Sequence, residues 1–377
     1  MRWSFKLFKI KGIDVKIHTL FILILVWAAY RWSVTTGDGL QGALFGVVAT
    51  LLLFVAVFLH ELGHSLQAMK YKVKVKDITL MPLGGVAQME ELPKNPKQEL
   101  KIALAGPLVN FAIAAILVVI GMILQTRSII SLNELVTSLG QTNWAGMLAY
   151  LTMANLLLGL FNLLPAFPMD GGRILRSLLA MRMDHTRATR IAAVIGQGLA
   201  FLMGLIGFMN GQFTLILIAI FVWMGASQES RGVVVQDTLR DIKVRRAMVR
   251  SPHSLKVNDS LSKAVELTLT SAQSDFPVVE WSTQKVVGIL GEAELLNGLK
   301  KLGEAAAVRE VMRTDFPATH LDDALYVTIE KMAKAKIKAV PVVDDDQNLI
   351  GMISSNDVNE AYRLLTVNPQ FVSEPQS

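Results

Sequence analysis

The sequence has 377 residues, 52% hydrophobic and 18% charged, with a net charge of +6 and a mean hydropathy of +0.43. That hydropathy excludes an ordinary soluble protein, a disordered chain and a coiled coil, and the absence of cysteine excludes a thiol nucleophile, a disulfide framework and a cysteine-held metal. Residues 1–230 hold 19 basic and 11 acidic residues, against 18 and 20 in residues 231–377, so a basic membrane domain (1–230) is expected to precede a soluble one (231–377).

Crossing a bilayer takes about 20 apolar residues. In chain order the candidate spans are residues 15–32, 40–59, 100–124, 144–164, 191–209 and 213–226, the first interrupted by His18 and Thr19 and the last short. Residues 17–29 could alternatively be a cleaved leader. Basic residues fall in alternate loops. Arg2, Lys6, Lys9, Lys11 and Lys16 precede the first span. Lys70, Lys72, Lys74, Lys76, Lys94, Lys97 and Lys101 follow the second, and Arg173, Arg176, Arg182, Arg187 and Arg190 follow the fourth. The intervening loops carry only Arg31 and Arg127. Six spans with both termini in the cytoplasm satisfy the positive-inside rule.

The second span runs into His60-Glu61-Leu62-Gly63-His64. Residues i and i+4 share a helix face, so both imidazoles can meet one cation, and Glu61 beside them can take a proton from its water. Three ionisable groups continuing an apolar helix are costly unless they work. A catalytic zinc wants a third protein ligand and an open position. Glu90 and Glu91 read as part of a solvated loop, and Asp184 and His185 as part of the basic loop. Asp170 stands at the depth of His60 and His64, although a turn residue before two glycines is its simpler alternative.

Residues 78–89, with Gly84 and Gly85 at their centre, are too short to span and suggest a hairpin dipping into the membrane. Its edge could pair with an unwound substrate, and a plain interfacial turn reads equally well. Ala105-Gly106-Pro107 and Asn110 then open the third span, where small residues permit close helix contact. The fourth span ends in Asn162-Leu163-Leu164-Pro165-Ala166-Phe167-Pro168-Met169-Asp170-Gly171-Gly172. Its prolines break the helix, which is tolerated at membrane depth only inside protein or beside a water-filled cavity. Asn155 and Asn162 are polar residues in this span, able to donate to a developing oxyanion or to make interhelical packing bonds.

Together, HELGH at 60–64, the Gly84-Gly85 hairpin and NLLPAFPMDGG at 162–172 resemble the site-2 protease family of intramembrane zinc metalloproteases. The resemblance implies His60, His64 and Asp170 as ligands of one zinc per chain, Glu61 as catalytic base and Asn162 as an oxyanion or substrate contact. It also implies cleavage of transmembrane segments of regulatory proteins within the bilayer.

The tail repeats itself after about 64 residues. Met248 pairs with Met312, Leu261 with Leu325, Phe276-Pro277-Val278-Val279 with Val340-Pro341-Val342-Val343, and Val287-Gly288-Ile289-Leu290 with Ile350-Gly351-Met352-Ile353. Each unit reads helix, strand, turn, strand, helix. This is similar to a tandem pair of cystathionine-β-synthase-type (CBS) domains, with repeats at about 240–300 and 304–365. The resemblance implies an adenine nucleotide (ATP, ADP or AMP) as regulator, with Ser354 holding phosphate and Asp357 the ribose. Gly291 and Glu294 depart from the pattern in the first repeat, leaving at most one competent site, and a pair used only for dimerisation or substrate docking is the alternative.

The expected fold is an α-helical membrane domain of about six transmembrane helices with a re-entrant β-hairpin, followed by an α/β tandem CBS domain in the cytoplasm. The expected protein is a multi-pass cell-membrane zinc endopeptidase. Its partners would be a membrane-spanning protein substrate, the lipid bilayer and a second copy through the CBS domains, with no nucleic acid. A CBS-gated ion channel or transporter is the alternative, which leaves the His-Glu-x-x-His spacing unexplained; an inactive nucleotide-sensing scaffold is a third reading.

Overall fold

A computed structural model describes residues 4–82, 84–89, 93, 95–124, 138–240, 242–271, 273–281 and 283–367. Glu90, Glu91, Lys94 and Arg127 lie outside the described residues. The chain divides into two compact units, Met1–Arg231 and Gly232–Ser377.

The first unit opens with strands β1 (Ser4–Ile10) and β2 (Ile13–His18), followed by helices α1 (Phe21–Thr36) and α2 (Gly39–Lys70). Strands β3 (Val75–Met81) and β4 (Gly84–Met89) come next, then α3 (Pro96–Ile123), α4 (Trp144–Asn162), α5 (Asp170–Ala180), α6 (His185–Met209) and α7 (Phe213–Arg240), whose residues from Gly232 on belong to the second unit. The sheet order is β1-β2-β3-β4, antiparallel except for the parallel β2–β3 pair, which leaves β4 at an edge.

The expected first span starts too early. Residues 13–18 form β2, because Ile13 and Val15 turn into the core on alternate positions and Ile17 pairs with Leu80. The helix that follows has 16 residues. The residues of the alternative leader are built into this core, with Phe21 and Ala28 buried. Ala105-Gly106-Pro107 and Asn110 lie inside α3 rather than at its start, since its helical turns begin at Pro96 behind an Asn95 cap.

Among the described residues, five helices are long and apolar enough to cross a membrane: α2, α3, α4, α6 and the 213–233 part of α7. Only 17% to 44% of each apolar window is buried within the protein. Leu23, Trp27, Leu51, Ile116, Leu157 and Phe201 all face outward. Helices apolar on every face belong in lipid, and the chain is a multi-pass membrane protein. Lipid removes most of the hydrophobic drive between helices, so close packing at small residues takes over. A Cβ on Gly46 would lie 2.6 Å from Ala28 O, and one on Gly159 2.9 Å from the Phe111 ring.

The second unit contains two cores. The first repeat packs Leu255, Leu261, Phe276, Val278, Leu290 and Val308 around β5 (Leu255–Lys256), α8 (Leu261–Thr270), β6 (Phe276–Val279), β7 (Val286–Leu290) and α9 (Glu292–Leu302). The second packs Val244, Leu325, Val340, Val342 and Ile353 around α10 (Leu325–Ala335), β8 (Ala339–Val343), β9 (Leu349–Ser354) and α11 (Ser355–Val367). Leu261/Leu325, Phe276/Val340 and Val278/Val342 are fully buried equivalents, so the internal repeat records two copies of one core.

Candidate metal centre and nucleotide cleft

Helix α2 carries His60 and His64 one turn apart on a buried face, 5% and 6% exposed. Their Nε2 atoms are 3.1 Å from one another. Asp170, the first residue of α5, places Oδ2 3.1 Å from His64 Nε2 and 3.2 Å from His60 Nε2. Among the described residues these three form the one cluster able to hold a metal ion. Asp184 is elsewhere, its carboxylate capping α6 at Arg187 N, 2.8 Å away.

The other ring nitrogens decide the chemistry. His60 Nδ1 is 2.5 Å from Asn110 Oδ1, and His64 Nδ1 is 2.7 Å from Ile102 O. Both oxygens only accept, so each Nδ1 donates its proton, and in the neutral imidazole each Nε2 is left with a lone pair facing inward. Two imidazole lone pairs and a carboxylate oxygen then converge on one point, which is unfavourable without a cation. Donors arranged tetrahedrally about zinc at about 2.0–2.1 Å stand about 3.3 Å apart, close to the separations found. The donor set fits zinc.

Backbone proximity makes the site possible. A Cβ on Gly106 of α3 would lie 2.1 Å from His64 Nε2 and 2.7 Å from His60 Cε1. A Cβ on Gly85 of β4 would lie 2.5 Å from Glu61 Cγ, so the Glu61 side chain lies against the edge strand. Gly84 has φ +139°, a conformation that side-chain-bearing residues rarely adopt. The broken segment before Asp170 folds onto the first turn of α5, where a Cβ on Gly171 would meet Leu164 O at 2.1 Å.

Asn155 belongs to a chain behind His60. Asn110 Nδ2 donates to Asn155 Oδ1 at 3.0 Å, and Asn155 Nδ2 donates to Leu151 O at 2.8 Å. Asn162 Nδ2 donates to Leu158 O at 3.0 Å. The sequence marks Gly106 as a small residue for close helix contact and gives Asn110 no role of its own. An amide among apolar neighbours was the signal available for Asn110.

Residues 48–206 match peptidase family M50, and residues 239–301 and 308–364 match the CBS domain. The zinc metalloprotease MJ0392 of Methanocaldococcus jannaschii is 37% identical over 372 residues, covering 98% of this chain and 99% of that protein. The chain belongs to peptidase family M50. Rip3 of Mycobacterium tuberculosis is 27% identical to this M50 peptidase over 401 residues, covering 100% of this chain and 98% of its own. A solved site-2 protease from Methanocaldococcus jannaschii is 44% identical, covering 61% of this chain and 96% of its own, with a TM-score of 0.43. This M50 peptidase is a zinc metallopeptidase with tandem CBS domains.

In the CBS unit, Ser354 and Asp357 line a cavity of about 820 Å³ with His253, Asp275 and Lys338. Asp357 Oδ2 accepts from Ser354 N and Ser354 Oγ, both at 2.7 Å, across the start of α11. Burial pushes the Asp275 carboxyl above its ordinary range, against the lowering pull of Ser274 and Lys338. In the first repeat a Cβ on Gly291 would lie 2.7 Å from Glu294 Oε2, so the residues replacing the serine and aspartate also meet.

Proposed function

We propose that this peptidase hydrolyses peptide bonds within transmembrane segments of membrane-tethered regulatory proteins, using His60, His64 and Asp170 as zinc ligands and Glu61 as base. The observation carrying this reading is the convergence of the two imidazole Nε2 atoms and the Asp170 carboxylate beside an edge strand. Bound there, zinc would supply a Lewis acid that acidifies water and polarises a carbonyl. Asn110 and the Ile102 carbonyl hold the imidazoles in the required tautomer. Glu61 takes the proton from the attacking water and delivers it to the departing amine.

The open edge of β4 pairs with the substrate as an added strand, with Gly84 and Gly85 letting its backbone approach Glu61. The substrate helix must unwind first, because its peptide groups are already hydrogen-bonded. Asn162 is the substrate or oxyanion contact, whereas Asn155 holds Asn110 in place. In this reading α1 and the five longer helices make six crossings, the β3–β4 hairpin dips into the membrane, and both termini are cytoplasmic. An adenine nucleotide binds the CBS cavity, phosphate at Ser354 and ribose at Asp357, and modulates cleavage; a second copy docks through the same unit.

Quantitative proteomics of membranes from cells expressing Glu61→Gln tests the substrate class. Single-span regulators accumulating uncut are expected, and an unchanged set of fragments would contradict the reading.

A further inference from the structure

Away from the metal donors, the first unit contains a second buried polar cluster. Arg176 of α5 is 3% exposed and Glu99 of α3 is 2% exposed. Arg176 Nε donates to Glu99 Oε1 at 2.8 Å, and Nη2 donates to the same oxygen. Its third arm, Nη1, donates to Glu229 Oε1 of α7 at 2.6 Å, where the carboxylate is 34% exposed. The guanidinium also lies over the Phe167 ring, 5.1 Å from its centroid.

Each partner leads to the metal centre. Glu99 is one helical turn from Ile102, whose carbonyl fixes His64. Phe167 stands in the broken segment three residues before Asp170, and a Cβ on Gly172 would lie 2.6 Å from its backbone nitrogen. On α7, Gly225 is one turn before Glu229, and a Cβ there would lie 2.5 Å from Pro168 Cδ. Arg176 therefore ties the α3 turn behind one histidine to the segment that carries the carboxylate. A buried ion pair is weak evidence for stability and is better explained by the geometry it fixes. Arginine suits this because its planar fork reaches three partners at once.

We propose that Arg176 is a positioning residue for Asp170, and that Glu229 makes the register of α7 part of the metal centre. Glu229 lies three residues before Gly232, where the second unit begins, so a displacement of α7 acts on the ligand geometry. The inference rests on Asp170 being a ligand.

The test is zinc retention by the full chain in detergent during titration with a chelator, alongside kcat, KM and thermal melting. Asp170→Ala calibrates the assay and should hold no zinc. The double variant Glu99→Leu/Arg176→Met replaces the two buried members with apolar groups of similar volume and leaves Glu229 and His185, 34% and 42% exposed, to solvent, so melting stays near wild type. It should release zinc at about 10- to 100-fold lower chelator, the range for losing a supporting partner, with kcat falling and KM unchanged. Glu229→Ala, at a half-exposed position, should shift release by about 2- to 5-fold in the same direction. The proposal requires both shifts: wild-type zinc retention by either folded variant overturns it. Should the double variant not fold, Glu229→Ala decides alone. Zinc held by Asp170→Ala would instead overturn the ligand assignment itself.

Discussion

Replacing Gly106 by alanine opposes two effects of known size at one position. By helix propensity alone, Gly→Ala inside α3 stabilises by about 0.5–1 kcal/mol. The added methyl, however, would stand 2.1 Å from His64 Nε2 and 2.7 Å from His60 Cε1. Relief requires the His64 ring to rotate away, which breaks its 2.7 Å bond to Ile102 O, or α2 and α3 to separate. Overpacking of this kind costs about 1–3 kcal/mol, and losing a ligand's supporting bond lowers metal affinity by about 10- to 100-fold, or about 1.4–2.7 kcal/mol. The methyl's cost exceeds the propensity gain. Chelator competition on the purified Gly106→Ala protein should show zinc released at least about tenfold more readily. The loss should appear only in the metal-bound form, because the apo protein can relax the ring. A variant that melts higher and holds zinc like wild type would mean that Gly106 does not set the approach of α3 to the histidines.

Gly85→Ala places a methyl 2.5 Å from Glu61 Cγ, so cleavage should fall by about 10²- to 10³-fold while zinc content stays at one per chain; measured together, loss of metal would count against this placement of Glu61. Asn110→Ala removes the acceptor 2.5 Å from His60 Nδ1 and should weaken zinc binding by about 10- to 100-fold, read by the same competition. In the tail, burial works to raise the Asp323 carboxyl, but Lys331, Thr319 and the His320 amide outweigh it and hold it at about 2. A folded-state value below the ordinary 3.8 gives stability present above pH 4 and lost as pH falls toward 2. Discounted for partial exposure, this is about 1 kcal/mol. Asp323→Asn in a 232–377 fragment should therefore melt about 4 °C lower at pH 6, and the gap should close near pH 2; a pH-independent gap would argue against it.

The histidine pair was legible because i,i+4 spacing fixes a helix face, and Asp170 because a proline-broken segment at the same depth is rare. The tail's two cores were legible as a repeat, since each buried position recurs. The strand at residues 13–18 was not: its apolar residues continue into α1, and composition alone merges strand and helix into one span. Ala105, Gly106 and Pro107 read as small residues for close helix contact near the opening of the third span, and Pro107 is tolerated within α3, which begins at Pro96. The Arg176 cluster joins residues 77 and 53 positions apart, a distance over which one sequence carries no pairing signal.

In the proposed mechanism Glu61 moves the proton while His60, His64 and Asp170 hold the metal. Zinc content and cleavage of a co-reconstituted membrane substrate, measured on one preparation of Glu61→Gln, test it most directly. One zinc per chain with no detectable cleavage is expected, and continued cleavage by that variant would rule out Glu61 as the base.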